Sequence, residues 1–136
     1  MGGVGYSKKS LIEKLGIKPG YRVVFIDPPH DYVATLGKLP DGVALSSEAA
    51  EKIEFIQLFV TSQHELNAQF DDLKGHLLPA GMLWVSWPKK SSQLPTDLDE
   101  NIIREFGLAH GLVDVKVCAV DQTWSGLKFV FRLKDR

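Results

Sequence analysis

The sequence predicts an α/β fold of three layers, a mostly parallel sheet between helices with an antiparallel hairpin at the C-terminal end. Three observations predict it. Residues 53–60 and 82–87 are nearly unbroken apolar runs, the pattern of strands buried on both faces. Between them Leu66, Phe70, Leu73 and Leu77 recur at i, i+4, i+7 and i+11, which is one apolar helix face. Residues 113–120 and 124–133 then read as two strands with no room for a crossover helix between them, so they pair antiparallel.

The elements follow in order. Ser10 and Glu13 form a capping box, Leu11, Ile12 and Leu15 supply an apolar face, and Gly16 stops this first short helix. Lys18-Pro19-Gly20 is turn chemistry, and residues 21–26 form a buried strand. Asp27-Pro28-Pro29-His30-Asp31 breaks that strand, with Asp31 as cap of a short helix that ends at Gly37. Residues 43–45 are at most a short outer strand. After the strand at 53–60, Ser62 and Glu65 cap the amphipathic helix, and Pro79-Ala80-Gly81 stops it. Pro88 closes the next strand, and Thr96 caps a helix whose Leu98, Ile102, Ile103 and Phe106 face inward. In the last strand Leu127, Phe129, Phe131 and Leu133 alternate with Lys128 and Arg132, marking one core face.

Composition narrows the function classes. The chain has 136 residues, 44% of them apolar and 24% charged, which suits one folded domain over residues 1–136 with a flexible start at 1–6. Sixteen Lys and Arg against seventeen Asp and Glu leave a net charge of −1, so no nucleic-acid partner is expected. No apolar run approaches the ~20 residues that span a bilayer, and the first ten residues hold neither an apolar leader core nor a myristoylation pattern. One cysteine makes no internal disulfide and fits a cytoplasmic setting. The histidines at 30, 64, 76 and 110 fall at no metal spacing, so no metal is expected.

A helix-first alternation that ends in an antiparallel hairpin resembles a Rossmann-like class I S-adenosylmethionine-dependent methyltransferase sheet, here in reduced form. Such a site needs glycines after the first strand so that backbone approaches the ligand. Asp27-Pro28-Pro29-His30-Asp31 stands there instead, and prolines remove N–H donors. Gly3-Val4-Gly5 precedes every strand and reads as tail. Asp27-Pro28-Pro29-His30 also resembles the D-P-P-aromatic motif of amino-group methyltransferases, with His30 in the aromatic place; a rigid strand-to-helix turn is the plainer reading.

The richest polar group follows the strand at 82–87. Lys89, Lys90, Ser91 and Thr96 lie beyond a carboxyl strand end and run into a helix N-terminus, an arrangement able to hold a phosphate or carboxylate. Lys116 is a further cation for that anion, and Trp124 either a wall of the site or a core lid. Lys116 and Cys118 share a strand face, so Lys116 can lower the thiol pKa; with no His placed as its base, a buried cysteine acting as a small hydrophobe is the plainer reading.

The runs 15–20, 87–92, 95–98 and 112–129 are similar to the bacterial family called domain of unknown function 3052. That resemblance spans nearly the whole chain and implies a small bacterial cytoplasmic protein, with no catalytic residue to carry over. With the glycine loop absent and little chain left for a substrate cap, the expected function is non-enzymatic, the binding of a small anionic ligand or a protein partner with no cofactor. The alternative is a divergent methyltransferase holding S-adenosylmethionine through unfamiliar contacts near Asp27 and Glu48.

Overall fold

The computed structural model describes residues 9–49 and 51–136; the expected flexible start at 1–6 and the glycines of Gly3-Val4-Gly5 lie outside the described residues. In chain order the elements are α1 (Leu11–Leu15), β1 (Arg22–Ile26), α2 (Tyr32–Leu36), β2 (Ala44–Ser46), β3 (Ile53–Phe59), α3 (Gln63–Lys74), β4 (Leu77–Pro88), α4 (Glu100–Ala109), β5 (Leu112–Ala119) and β6 (Trp124–Phe131). One sheet holds the strands in the order β2-β1-β3-β4-β6-β5. The first four are mutually parallel; β6 inserts antiparallel between β4 and β5. This is the expected α/β fold, a Rossmann-like, methyltransferase-like sandwich with a C-terminal antiparallel pair.

Strand alternation divides the core into two layers. On one face Leu66, Phe70, Leu73 and Ile103 of α3 and α4 cover Ile56, Leu58, Leu83, Val85, Leu127 and Phe129. On the other Ile12, Leu15, Tyr32 and Leu36 of α1 and α2 cover Val23, Phe25, Phe55, Phe59, Met82 and Trp84. The Trp84 indole donates to the Leu15 carbonyl at 2.9 Å, which ties α1 to the sheet.

Five local expectations are corrected. The helical spacing of Leu77 is fortuitous: α3 ends at Lys74, and Leu77 opens β4 opposite Ile53. Pro79, Ala80 and Gly81 then form an irregularity inside β4, where the register with β3 jumps from Leu77 to Met82. The cap of α4 is Asp99, whose carboxylate accepts from the Ile102 amide at 2.8 Å, because Thr96 is engaged elsewhere. Asp31 occupies the N-cap of α2 without a side-chain cap bond. Leu133 lies past the end of β6 and is 80% exposed, so the core face of that strand stops at Phe131.

Candidate functional site at the carboxyl edge of the sheet

The chain passes outward from β1 to β2 and returns to β3 on the other side of β1, so the loops leaving β1 and β3 part at the carboxyl edge. Open α/β sheets hold ligands where strand order reverses in this way. Here the edge carries Asp27 after β1, Ser46 at the end of β2 with Ser47 and Glu48 after it, and Thr61 after β3. A cavity of about 320 Å³ opens between β1, β2 and α2, lined by Phe25, Pro28, Val33, Leu45, Ser46 and Ser47. Its walls are mainly apolar, with hydroxyls at one rim, the usual make-up of a small-molecule site.

The turn that bounds this cavity is strained. Asp27 has φ +55° and Asp31 has φ +60°, left-handed positions that cost a non-glycine residue free energy and that Asp tolerates better than most. Gln69 of α3 holds Asp27 by an Nε2-to-Oδ2 contact of 3.4 Å. On the β2 side the Ser46 hydroxyl donates to the Glu48 carbonyl at 3.0 Å and accepts from the Glu48 amide at 3.2 Å, and Glu48 is exposed. Beyond β3, Glu65 accepts from the Thr61 amide and hydroxyl at 2.7 and 3.0 Å, and these bonds hold its carboxyl below the usual range.

A second cavity, of about 350 Å³, lies at the end of β4 among Trp87, Pro88, Lys89, Lys90, Leu98, Asp99, Glu100, Asn101 and Ser125. It brings together only Lys89 and Lys90 of the residues expected to form an anion site. Ser91 is exposed on a short 3-10 turn, Lys90–Ser92. Thr96 serves as a tie between loops, its hydroxyl donating to the Thr61 carbonyl at 2.7 Å and accepting from the Leu98 amide at 3.1 Å. Lys116 sits mid-strand on the other face of the sheet and donates to the Lys14 carbonyl at the end of α1, at 2.9 Å. Trp124 packs edge-on against Phe59, centroids 5.3 Å apart, in the α1–α2 layer, whereas Trp87 belongs to the α3–α4 layer. The expected site therefore mixed residues from two faces, a separation that strand alternation alone does not reveal. At Cys118 burial raises the thiol pKa and outweighs the lowering by Lys116 and Lys14, as a small hydrophobe requires.

Among the described residues no group of three or more His, Cys, Asp or Glu is placed to hold a metal ion, and no helix is long and apolar enough to cross a membrane.

No protein-family model and no curated protein matches the chain. Solved structures do. A SAM-dependent methyltransferase from Aquifex aeolicus superposes with a TM-score of 0.60 at 17% identity, covering 88% of this chain and 86% of that one. The ribosomal protein L11 methylase of Lactobacillus delbrueckii subsp. bulgaricus gives 0.55 at 14% identity, over 90% of this chain and 75% of that one. The 1,6-didemethyltoxoflavin-N1-methyltransferase of Burkholderia thailandensis, solved with S-adenosylhomocysteine, gives 0.53 at 11% identity, over 88% and 73%. At these identities the likeness establishes the fold, that of S-adenosylmethionine-dependent methyltransferases.

The matches overturn two expectations, a non-enzymatic ligand- or partner-binding domain and the absence of a cofactor. Both rested on shortness and on the missing glycine loop. Shortness fails as a reason, because this chain already spans 86% of the Aquifex enzyme. The proline turn fails as one because the chain that carries it superposes on these methyltransferases over 88% and 90% of its length.

Proposed function

We propose that the protein is a divergent S-adenosylmethionine-dependent methyltransferase. The observation that carries this reading is the charge of the edge where β1, β2 and β3 end. Asp27 and Asp31 stand in the turn that carries Pro28 of the cavity wall, Glu48 directly follows its rim residue Ser47, and the lining residues include no Lys or Arg. A pyrophosphate-bearing dinucleotide meets repulsion there, whereas a cofactor with a sulfonium and an ammonium group finds anions.

The residues fit such a cofactor. Phe25, Pro28, Val33 and Leu45 offer an apolar slot for a flat heterocycle. Glu48, 22 residues beyond the end of β1, is a carboxylate acceptor for ribose hydroxyls, as acidic residues at this distance are in nucleotide folds. Asp27, at the carboxyl end of β1 beside Pro28, is the carboxylate assigned to the cationic end. Bound there, the cofactor supplies an electrophilic methyl group. What the chain itself does is orient that group and exclude water with the apolar wall. The acceptor enters from the cavity at the end of β4, whose lining sets Lys89 and Lys90 against Asp99 and Glu100 and so favours neither sign of charge. The near-neutral net charge supports a small acceptor over nucleic acid. The single cysteine and the resemblance to domain of unknown function 3052 support a bacterial cytoplasmic setting.

Thermal unfolding with increasing S-adenosylmethionine or S-adenosylhomocysteine tests the reading. A Tm that climbs with ligand concentration is expected, since a ligand that binds only the folded state stabilises it by mass action. Asp27→Asn and Glu48→Gln should each weaken that response about tenfold or more, the loss of one charge-assisted contact. A flat Tm through millimolar ligand, or full binding by both variants, overturns it.

A further inference from the structure

Two fully buried polar residues interrupt the apolar central strands. Gln57 in β3 and Ser86 in β4 are both 0% exposed, on the face that α2 covers. They form a chain: the Tyr32 phenol donates to Gln57 Oε1 at 2.7 Å, and Gln57 Nε2 donates to Ser86 Oγ at 3.0 Å. Tyr32 itself is 3% exposed and wedged between Phe25 and Phe59, with centroids at 5.1 and 4.8 Å and rings nearly perpendicular. Burial raises its phenol pKa further above its ordinary value, so it stays a neutral donor.

The position of Tyr32 gives the chain its meaning. It is the first residue of α2, directly after the turn in which Asp27 and Asp31 hold left-handed conformations. Its amide closes that turn on the Pro29 carbonyl at 3.1 Å. Pro28 on one side of it and Val33 on the other line the 320 Å³ cavity. Strained backbone of this kind persists only where its surroundings over-determine it. Apolar residues at 57 and 86 would pack the sheet without desolvating polar groups, but they would give Tyr32 no fixed end point.

We propose that Tyr32, Gln57 and Ser86 form a positioning chain that sets the Asp27–Asp31 turn, and with it the cavity wall, in its ligand-ready geometry. They act through the turn and touch no reacting atom. The part of this that concerns ligand affinity rests on the methyltransferase reading; the hold on the turn does not.

The test separates a positioning role from a packing role by replacing the chain in two ways. Tyr32→Phe strands a buried acceptor and should lower the Tm. The all-apolar variant Tyr32→Phe/Gln57→Leu/Ser86→Ala removes every partner together, so its Tm should return towards that of the native chain. Amide exchange at Tyr32 and Thr35, read without ligand, should nevertheless stay about tenfold faster than in the native protein, a change of the size one lost hydrogen bond brings. Affinity for S-adenosylhomocysteine, by calorimetry, should stay weakened by a similar factor.

If exchange and affinity recover along with the Tm, the chain is packing only and the proposal falls. If exchange is accelerated while the native protein binds no S-adenosylhomocysteine, the hold on the turn stands and the cofactor reading fails. Should the triple variant lose its cooperative transition, Ser86→Ala alone, two strands away from β1, is measured the same way. Unchanged exchange at Tyr32 in that variant and in Tyr32→Phe overturns the proposal.

Discussion

At the scale of single residues, Gly107 sets how close α4 comes to the sheet. It is buried in the last turn of α4, still inside the helix, where alanine is intrinsically preferred by up to about 1 kcal/mol. A methyl group there would lie 2.1 Å from Cε1 of Phe129. That ring cannot move aside, being 0% exposed and held edge-on by Phe70 at 5.8 Å. Overpacking of this kind costs about 1–3 kcal/mol, more than the gain in propensity. Gly107→Ala should therefore lower the Tm by several degrees, as read by calorimetry or circular dichroism; an unchanged or higher Tm would mean that the helix can lift off Phe129 without loss. The signal is invisible in sequence, where Gly107 reads as the end of a helix that continues to Ala109.

At the scale of elements, β1 and β3 are joined by more than their ladder. The register that sets Val23 beside Phe55 brings Arg22 next to Glu54. The guanidinium donates through Nε and Nη2 at 3.3 and 3.1 Å, and the Arg22 amide adds a bond at 2.8 Å. Hydrogen bonding by the Arg22 side chain is the main cause holding the Glu54 carboxyl below its ordinary 4.5. A carboxyl depressed in the folded state stabilises fully above its unfolded value and loses that contribution as pH falls through the folded one. The stability gap between the native protein and Glu54→Gln, from urea midpoints, should thus be constant near neutrality and narrow below pH 4.5. A gap that does not change with pH would show that Glu54 acts by shape alone. Elements such as β1, β3 and the C-terminal pair are legible because each is an uninterrupted local pattern. The boundary between α3 and β4 is not, because Leu77 fits the helix spacing and only its pairing with Ile53, twenty-four positions back, places it in the sheet. The candidate site divides in the same way. Asp27 and Glu48 can be found from their place after strands, whereas the opposite faces of Lys89 and Lys116 depend on which side each helix covers. The one trace of the Tyr32–Gln57–Ser86 chain in the sequence is a pair of polar residues inside apolar strands.

At the scale of the whole molecule, stability is unevenly distributed, and the proposed function sits at the weak end. Every residue of β3 except Glu54 is buried, as are Met82–Pro88 of β4, whereas all three residues of β2 are exposed. No helix among the described residues crosses from β2 to β3, so the α3–α4 face of β1 and β2 is left with an open groove of about 220 Å³ over Val24 and Ile53. An edge strand paired over three residues, Ala44 to Ser46, has little burial to oppose its opening. Ser46 and Leu45 nevertheless line the proposed cofactor cavity. Ligand-free exchange should therefore be fastest, among strand amides bonded to a neighbouring strand, at β2, and slowest in β3, where opening requires global unfolding. S-adenosylhomocysteine should slow exchange at β2 and in the Asp27–Asp31 turn far more than in β3, because binding stabilises only states in which both walls are formed. Equal protection of β2 and β3 without ligand would remove the stability gradient. Protection confined to the cavity at the end of β4 would move the cofactor there and leave β2 as a structural edge.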